Sequence, residues 1–479
     1  MADQATDISR RHLIRSAGLG GSSLWLSGIL ADLSATAANL PTAGAQTSAP
    51  VDPLAARSPH FPPRAKRVIM LYMTGGVSHV DSFDPKPKLF ADHGKTISID
   101  EWQGRRGKYS RFLKRPDWTF SKHGQSGIEV SALFPEVAGC VDDLCVIRSM
   151  KSDHTNHYEA TLQAHTGSIT FARPSIGSWV SYGLGTYNRN LPSFVVIAPQ
   201  TPYAGEQTWG SDFLPGCHQG TRVTPGPEPI ADLHRRLRSS RLQEREIARI
   251  QELNRAHLAG RGADPQLAAR IQSFETAFGM QQEAPDAFDV SRESDATLRL
   301  YGLERGSTQG FAWQCLVARR LSERGVRFIE LIDTGASNNW DAHGDMQTHI
   351  PLARNVDRAI AGLLKDLKSR GLLDETLVVW TTEFGRTPYH ENPNARGREH
   401  HHWAFTSWMA GGGVKAGHVH GATDDYGIYV AEDGVHVHDL HATILHLLGL
   451  DHTKLTFRHA GRDFRLTDVK GEIVRDILA

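Results

Sequence analysis

Arg67-Val68-Ile69-Met70-Leu71-Tyr72-Met73 runs straight into Thr74-Gly75-Gly76. A continuous apolar run that stops at a glycine pair reads as a strand buried on both faces. Runs of the same kind recur at Leu144 to Met150, Phe194 to Ala198, Val326 to Ile332, Thr376 to Thr382 and Phe405 to Ala410, with amphipathic segments between several of them. Ile350 to Arg370 repeats Leu352, Val356, Ile360, Leu363, Leu364 and Leu367. Ala231 to Leu258 carries Leu233, Leu237, Ile247, Ile250 and Leu253. Both spacings predict helices with a core-facing stripe. Strands alternating with helices make βα units, so the expected fold is a single α/β domain around a large, mostly parallel sheet. No repeat of solenoid or propeller length is present.

The chain has 479 residues, enough for a large core, and 53 basic against 53 acidic side chains leave it formally neutral. No global field therefore draws it to nucleic acid or to acidic membranes. Four cysteines exclude a disulfide framework; Cys140 and Cys145 read either as a local bridge or as two small buried hydrophobes. Histidine is the skewed residue, with 25 in all and 14 of them between Thr334 and Ala479, which invites a metal or acid/base reading.

Residues 1–45 read as an export signal. Ser9-Arg10-Arg11-His12-Leu13-Ile14-Arg15 follows the twin-arginine pattern, and an apolar stretch from Ala17 to Ala38 follows it. Its glycines and Asp32 make it a poor spanning helix. Ala43-Gly44-Ala45 suits cleavage, with Ala35-Thr36-Ala37 as a competing site and an uncleaved anchor as the other reading. The expected location is periplasmic or secreted, without stable membrane insertion after cleavage. Residues 46–63, Pro-rich from Pro50 to Pro63, read as a linker, and residues 64–479 as the domain.

In open parallel sheets ligands bind beyond the carboxyl ends of the strands, and those positions are unusually polar here. After the first strand come His79, Asp81 and Asp84; after the Val326 run come Asp341, His343 and Asp345; after the Thr376 run come Glu383 and Arg386; and Glu399, His400, His401 and His402 precede the Phe405 run. Asp341 and His343, two residues apart, share a face if extended, and with His400 they form a mixed imidazole and carboxylate set suited to zinc, manganese or iron. His401, His402, His436 and His438, taken singly, read as ordinary surface or hydrogen-bonded residues. Arg386 reads either as an oxyanion clamp or as a structural carboxylate partner. Asp153 to Ala160 suggests a helix starting near Asn156, with His157 at an N-terminus that attracts anions or is simply capped by Thr155 or Asn156.

Taken together, Gly75-Gly76-x-Ser78-His79-x-Asp81-x-Phe83-Asp84-Pro85-Lys86-Pro87, Asn156-His157, Trp340-Asp341-x-His343-Gly344-Asp345, Thr382-Glu383-Phe384-Gly385-Arg386-Thr387-Pro388 and Gly411-Gly412-Gly413-Val414-Lys415 resemble the bacterial family numbered 1501 among domains of unknown function (DUF1501). That family is grouped with the alkaline phosphatase and sulfatase superfamily. The resemblance implies an alkaline-phosphatase-like α/β/α sandwich and a divalent metal, and it covers nearly all of the chain after the leader. It also implies that Asp341, His343 and His400 are metal ligands. His157 falls where the superfamily places a hydroxyl or thiol nucleophile. Glu383 replaces an aspartate, with Phe384 in place of a ligand histidine, and His79 and Asp81 stand in for a first-strand aspartate, so His79, Asp81 and Glu383 become a second ion's ligands or its outer shell.

The expected function is an exported metal-dependent hydrolase of small-molecule or glycan esters of phosphate or sulfate, with His157 as covalent nucleophile or base. The rival expectation is a superfamily member that has lost catalysis and serves as an envelope binding or assembly protein.

Overall fold

The computed structural model describes residues 52–102, 105–233, 239–261 and 264–479. The export segment lies outside the described residues. Every apolar run noted above is a strand. We label the central-sheet strands β1 (Arg67–Tyr72), β2 (Leu144–Lys151), β3 (Phe194–Ile197), β4 (Thr221–Val223), β5 (Phe328–Ile332), β6 (Thr376–Thr381), β7 (Phe405–Ala410), β8 (His418–His420) and β9 (Val435–His436). Their order is β8-β2-β7-β6-β1-β5-β3-β4, with β9 also on β2. All pairings are parallel except those that β7 makes with β6 and β2. Because β7 runs backwards, the residues that precede it meet the carboxyl ends of its neighbours.

Strand alternation feeds two separate cores. Ile69, Leu71 and Met73 of β1 and its continuation face one side with α3 (Phe311–Glu323) and α4 (His349–Ser369). Val68, Met70 and Tyr72 face the other side with α2 (Ile176–Leu184) and α5 (Val437–Leu447). Helices on both faces of a mostly parallel sheet make an α/β/α sandwich. α1 (His157–Thr166) follows β2; Asn156 Oδ1 accepts the Tyr158 N–H at its start and Gly167 closes it at φ 72°.

One expectation is corrected, and two stretches are defined more closely. The helix read from Ala231 begins at Ser240, and Ile250 and Leu253 on it are exposed, so that stripe does not face the core. The described part of the Pro-rich stretch is docked: the Arg57, His60 and Arg64 N–H groups donate to Leu184, Gly449 and Leu447 carbonyls. Cys140 and Cys145 are free and buried, so of their two readings the buried-hydrophobe one holds. A ribbon that the sequence did not signal, Thr96–Trp102 with Arg105–Leu113 and Tyr389–His390, stands beside the strand ends.

Candidate metal centre

β1 lies between β6 and β5, so their three carboxyl ends open side by side. Glu383 follows β6, Asp341 and His343 lie in the loop after β5, and His400 sits in the segment that leads into β7. His157 is the first residue of α1. Four separate stretches of chain thus deliver side chains to one place.

Asp341 is the hub. His157 Nε2 lies 3.3 Å from its Oδ2, His343 Nε2 2.9 Å from Oδ1, and His400 Nε2 3.2 Å from Oδ1. The other nitrogen of each ring faces an atom that only accepts: His157 Nδ1 lies 2.8 Å from Glu383 Oε1, His343 Nδ1 2.7 Å from Glu399 Oε2, and His400 Nδ1 2.7 Å from the Thr155 carbonyl. A carboxylate or carbonyl oxygen needs a proton from the ring, so each Nδ1 carries a hydrogen, and each Nε2 turns to the centre with either a lone pair for a cation or a second proton for Asp341. His157, Asp341 and His400 offer ligand atoms that all lie within 4.8 Å of one another.

Two features test whether a cation fits. His157 Nε2 is buried with no hydrogen-bond partner, and His343 Nε2 stands 2.9 Å from His400 Nε2. Lone pairs directed at each other over that distance require a proton or a cation between them. With the imidazoles neutral, the Arg386 guanidinium on Asp341 offsets one of the three carboxylates Asp341, Glu383 and Glu399, which leaves two negative charges to be met by a cation or by protons on the rings. A divalent ion balances them, and the outer acceptors are the supports that fix ring orientation in histidine metal sites. The donor set fits an ion.

Without an ion, protons fill the same role. Hydrogen bonds to Asp341 and Glu399 push the His343 imidazole up to about 9. Burial works against protonation of His157, but Asp341 and Glu383 prevail and raise it. His400 is pulled down to about 4, by burial first, against the pull of Asp341. Burial alone would raise Asp341 and Glu383; the histidines around them hold both below the usual range.

Glu383 is wholly buried and accepts from the Gly75 N–H at 2.8 Å, the Tyr72 hydroxyl at 3.1 Å and the Thr382 hydroxyl at 3.1 Å besides His157. The Gly75-Gly76 turn matters for this contact: at φ 110° Gly75 brings its N–H to the carboxylate, and a Cβ there would meet Asn339 Oδ1 at 2.6 Å. Arg386 is also wholly buried. Its Nη2 lies 2.6 Å from Asp341 Oδ1, and the remaining N–H groups go to the Gly75, Gly76 and Arg398 carbonyls. Of the two readings of Arg386, the structural carboxylate partner is the one its contacts support.

The structure does not bring His79 and Asp81 to the cluster. Asp81 is paired with Arg398, Nε to Oδ2 2.6 Å, and also accepts the Ser78 hydroxyl and the Asp117 N–H, so its oxygens are used. His79 Nε2 lies 2.8 Å from the Gly427 carbonyl and its ring stacks on His401. Sequence reading passed over Tyr203, whose ring stacks on His157 at 4.1 Å and 9°. It follows β3, so the strand-end rule would have found it.

A cavity of about 440 Å³, lined by Thr155, Asn156, His157, Tyr158, Tyr203, His343, Glu399 and His400, opens the centre to solvent. A second group, Asp153, His436 and His438, behaves differently. Its rings stack at 16°, His436 Nδ1 accepts the His438 N–H to cap α5, and the Lys470 ammonium lies 3.2 Å from Asp153. Parallel rings cannot share one in-plane ion, and the ammonium supplies the cation.

A family model described as "Protein of unknown function (DUF1501)" matches residues 65–478. The chain belongs to this family. No curated protein matches the DUF1501 chain in sequence. Among solved structures, the lipoteichoic acid synthase LtaP from Listeria monocytogenes superposes with a TM-score of 0.36 at 8% identity, over 86% of this chain and 78% of its own. PsFucS1 sulfatase from Pseudoalteromonas sp. gives 0.34 at 13% identity over 81% and 68%, and alkaline phosphatase from the Antarctic bacterium TAB5 gives 0.33 at 11% over 81% and 99%. These superpositions are partial, and the chemistry of the centre is read from its own side chains.

Proposed function

We propose that this DUF1501 protein is an exported, metal-dependent hydrolase of phosphate or sulfate esters. The observation that carries the reading is the convergence of the His157, His343 and His400 Nε2 atoms on the Asp341 carboxylate, each ring held by an acceptor behind it. His157, Asp341 and His400 would hold the ion, zinc or manganese by donor type, with the cavity side open. Bound there, a divalent ion supplies Lewis-acid polarisation of the ester oxygen. Glu383 fixes the tautomer of His157, and Arg386 orients Asp341. His157, committed by Nδ1 to Glu383 and by Nε2 to the hub, acts as a ligand rather than the nucleophile or base that its position suggested. In this reading water is the nucleophile: the described residues lining the cavity include no serine or cysteine, and Thr155 meets the centre through its carbonyl, which accepts from His400 Nδ1. His343, 41% exposed and backed by Glu399, protonates the leaving alkoxide.

Export is proposed on Arg10-Arg11 and the small-residue cleavage site. Among the described residues no helix is long and apolar enough to cross a membrane.

The test is turnover of aryl and alkyl phosphate and sulfate monoesters by metal-loaded protein. His343→Gln should slow alkyl esters about 10² to 10⁴-fold and aryl esters with good leaving groups much less, because only the poor leaving group needs the proton. Full metal loading with no turnover of any ester would defeat the hydrolase reading and favour the binding or assembly role.

A further inference from the structure

Beside the centre lies a second cavity of about 490 Å³ that the hydrolase reading does not use. The two cavities share a wall. His343 and Glu399 line the first, Asp345 and Arg396 line the second, and the two segments that carry these residues run in contact: the Arg398 N–H donates to the Ala342 carbonyl at 3.0 Å and the Met346 N–H to the Arg396 carbonyl at 3.1 Å. Gly397 permits this approach, since a Cβ there would fall 1.8 Å from the His343 carbonyl oxygen. A substrate that extends from the centre across these two segments would reach the second cavity.

The far wall is the loop Lys114 to Thr119 with Phe90 in front of it. Its charges are mostly matched. The Lys114 ammonium pairs with Asp117 at 2.7 Å and Arg396 with Asp345 at 2.5 Å. The Arg115 guanidinium, exposed, has no partner among the described residues. Phe90 is 36% exposed, and Trp118 is partly buried, its ring stacked over His349 at 6.4 Å. The groove thus offers two aromatic faces and one uncompensated planar cation.

The loop is also held with unusual care. Arg398, wholly buried, donates to the Lys114 carbonyl at 3.2 Å and the Arg115 carbonyl at 2.9 Å, while Asp81 accepts the Asp117 N–H at 2.8 Å. A buried ion pair is costly in desolvation and seldom stabilises more than a packed apolar pair would. This one uses its remaining hydrogen bonds to fix the groove loop against the segment that carries His400. Pre-set geometry of that kind lowers the ordering cost of a ligand.

Resting on the hydrolase reading, we infer that this groove binds a negatively charged saccharide, the part of the substrate next to the ester at the centre. Arg115 takes the carboxylate or sulfate through its planar fork, and Phe90 and Trp118 take the apolar faces of the sugar rings. Asp81 and Arg398 act as positioning residues for the loop.

The test uses metal-loaded full-length protein with alginate and carrageenan oligosaccharides as carboxylated and sulfated probes and a dextran oligomer as the neutral control. Wild type should bind at least one anionic probe more tightly than dextran. Arg115→Ala, at an exposed position, should weaken that binding about tenfold or more, Arg115→Lys should recover part of it, and Phe90→Ala should weaken both charged and neutral sugars. Metal content and turnover of an aryl monoester should stay at wild-type level in all three variants. Equal affinity for dextran and both anionic probes, or Arg115→Ala binding like wild type, overturns the proposal. So does an equal loss of aryl-ester turnover and saccharide binding, which would place Arg115 in the centre's own support. Arg115-dependent binding without turnover of any ester would sustain the groove and overturn the hydrolase reading instead.

Discussion

Glu383→Gln separates the charge behind His157 from its shape. Glutamine can keep Oε1 where His157 Nδ1 at 2.8 Å and the Gly75 N–H at 2.8 Å require an acceptor. Its amide nitrogen then falls opposite the Tyr72 and Thr382 hydroxyls, and both can turn: Tyr72 toward Thr161 Oγ1 at 3.2 Å and Thr382 toward the Met73 carbonyl at 2.7 Å. The fold should therefore lose only about 1 kcal/mol, the worth of one rearranged hydrogen bond. The centre loses more, because a neutral amide no longer raises the basicity of His157 or fixes its tautomer. Outer partners of metal-ligating histidines are worth about 10- to 100-fold in affinity, or about 1.4 to 2.7 kcal/mol. Zinc affinity of the apoprotein, measured by competition with a chromogenic chelator at fixed pH, should fall by that factor while the denaturant midpoint moves little. Affinity within about twofold of wild type would refute the role given to Glu383.

Other expectations concern the fold around the centre. His349, His441 and His218 are pulled down to about 3 by burial, and His402 to about 4, so in the folded protein they stay neutral below the unfolded value of about 6.5. Their stabilisation is complete above that value and is lost as pH falls toward the folded values, about 1 to 2 kcal/mol each by pH 5; a denaturant midpoint unchanged from pH 7 to 4.5 would contradict it. His165→Leu should cost about 3 to 5 kcal/mol, because it strands Glu330, paired with His165 at 2.6 Å and flanked by Met70 and Val196, whereas adding Glu330→Leu should recover most of the loss in a chemical unfolding curve. Asp81→Asn should lower stability by a few kcal/mol, on the order of a broken buried pair, yet leave metal content per folded molecule unchanged; loss of metal with the fold intact would return Asp81 to the ligand set.

Strands surrounded by other strands were legible because nothing polar can interrupt them, as in β1 and β6. The ribbon of Thr96–Trp102 and Arg105–Leu113 was not, since its charged residues face solvent and its pairing partner Tyr389–His390 is far away in sequence. Ile250 and Leu253 sit at helical spacing on a helix whose stripe stays exposed, so periodicity alone misplaced them. Asp341, His343 and His400 could be singled out by ligand chemistry at strand ends. Asp81 obeyed the same rule and failed it, because its partner Arg398 lies 317 positions along the chain and no local spacing encodes that pairing. His157 stood at the right place with its role undecided; only the contact of Nδ1 with Glu383 shows which nitrogen faces Asp341.

The central claim is that His157, Asp341 and His400 hold a divalent ion, and elemental analysis of the full-length protein purified without chelator tests it most directly. The expected result is about one equivalent of zinc, manganese or a similar ion per chain, lost in folded protein carrying His157→Ala, Asp341→Ala and His400→Ala together. Folded wild type that is metal-free and takes up neither zinc nor manganese, or a triple variant that keeps its metal, would contradict it.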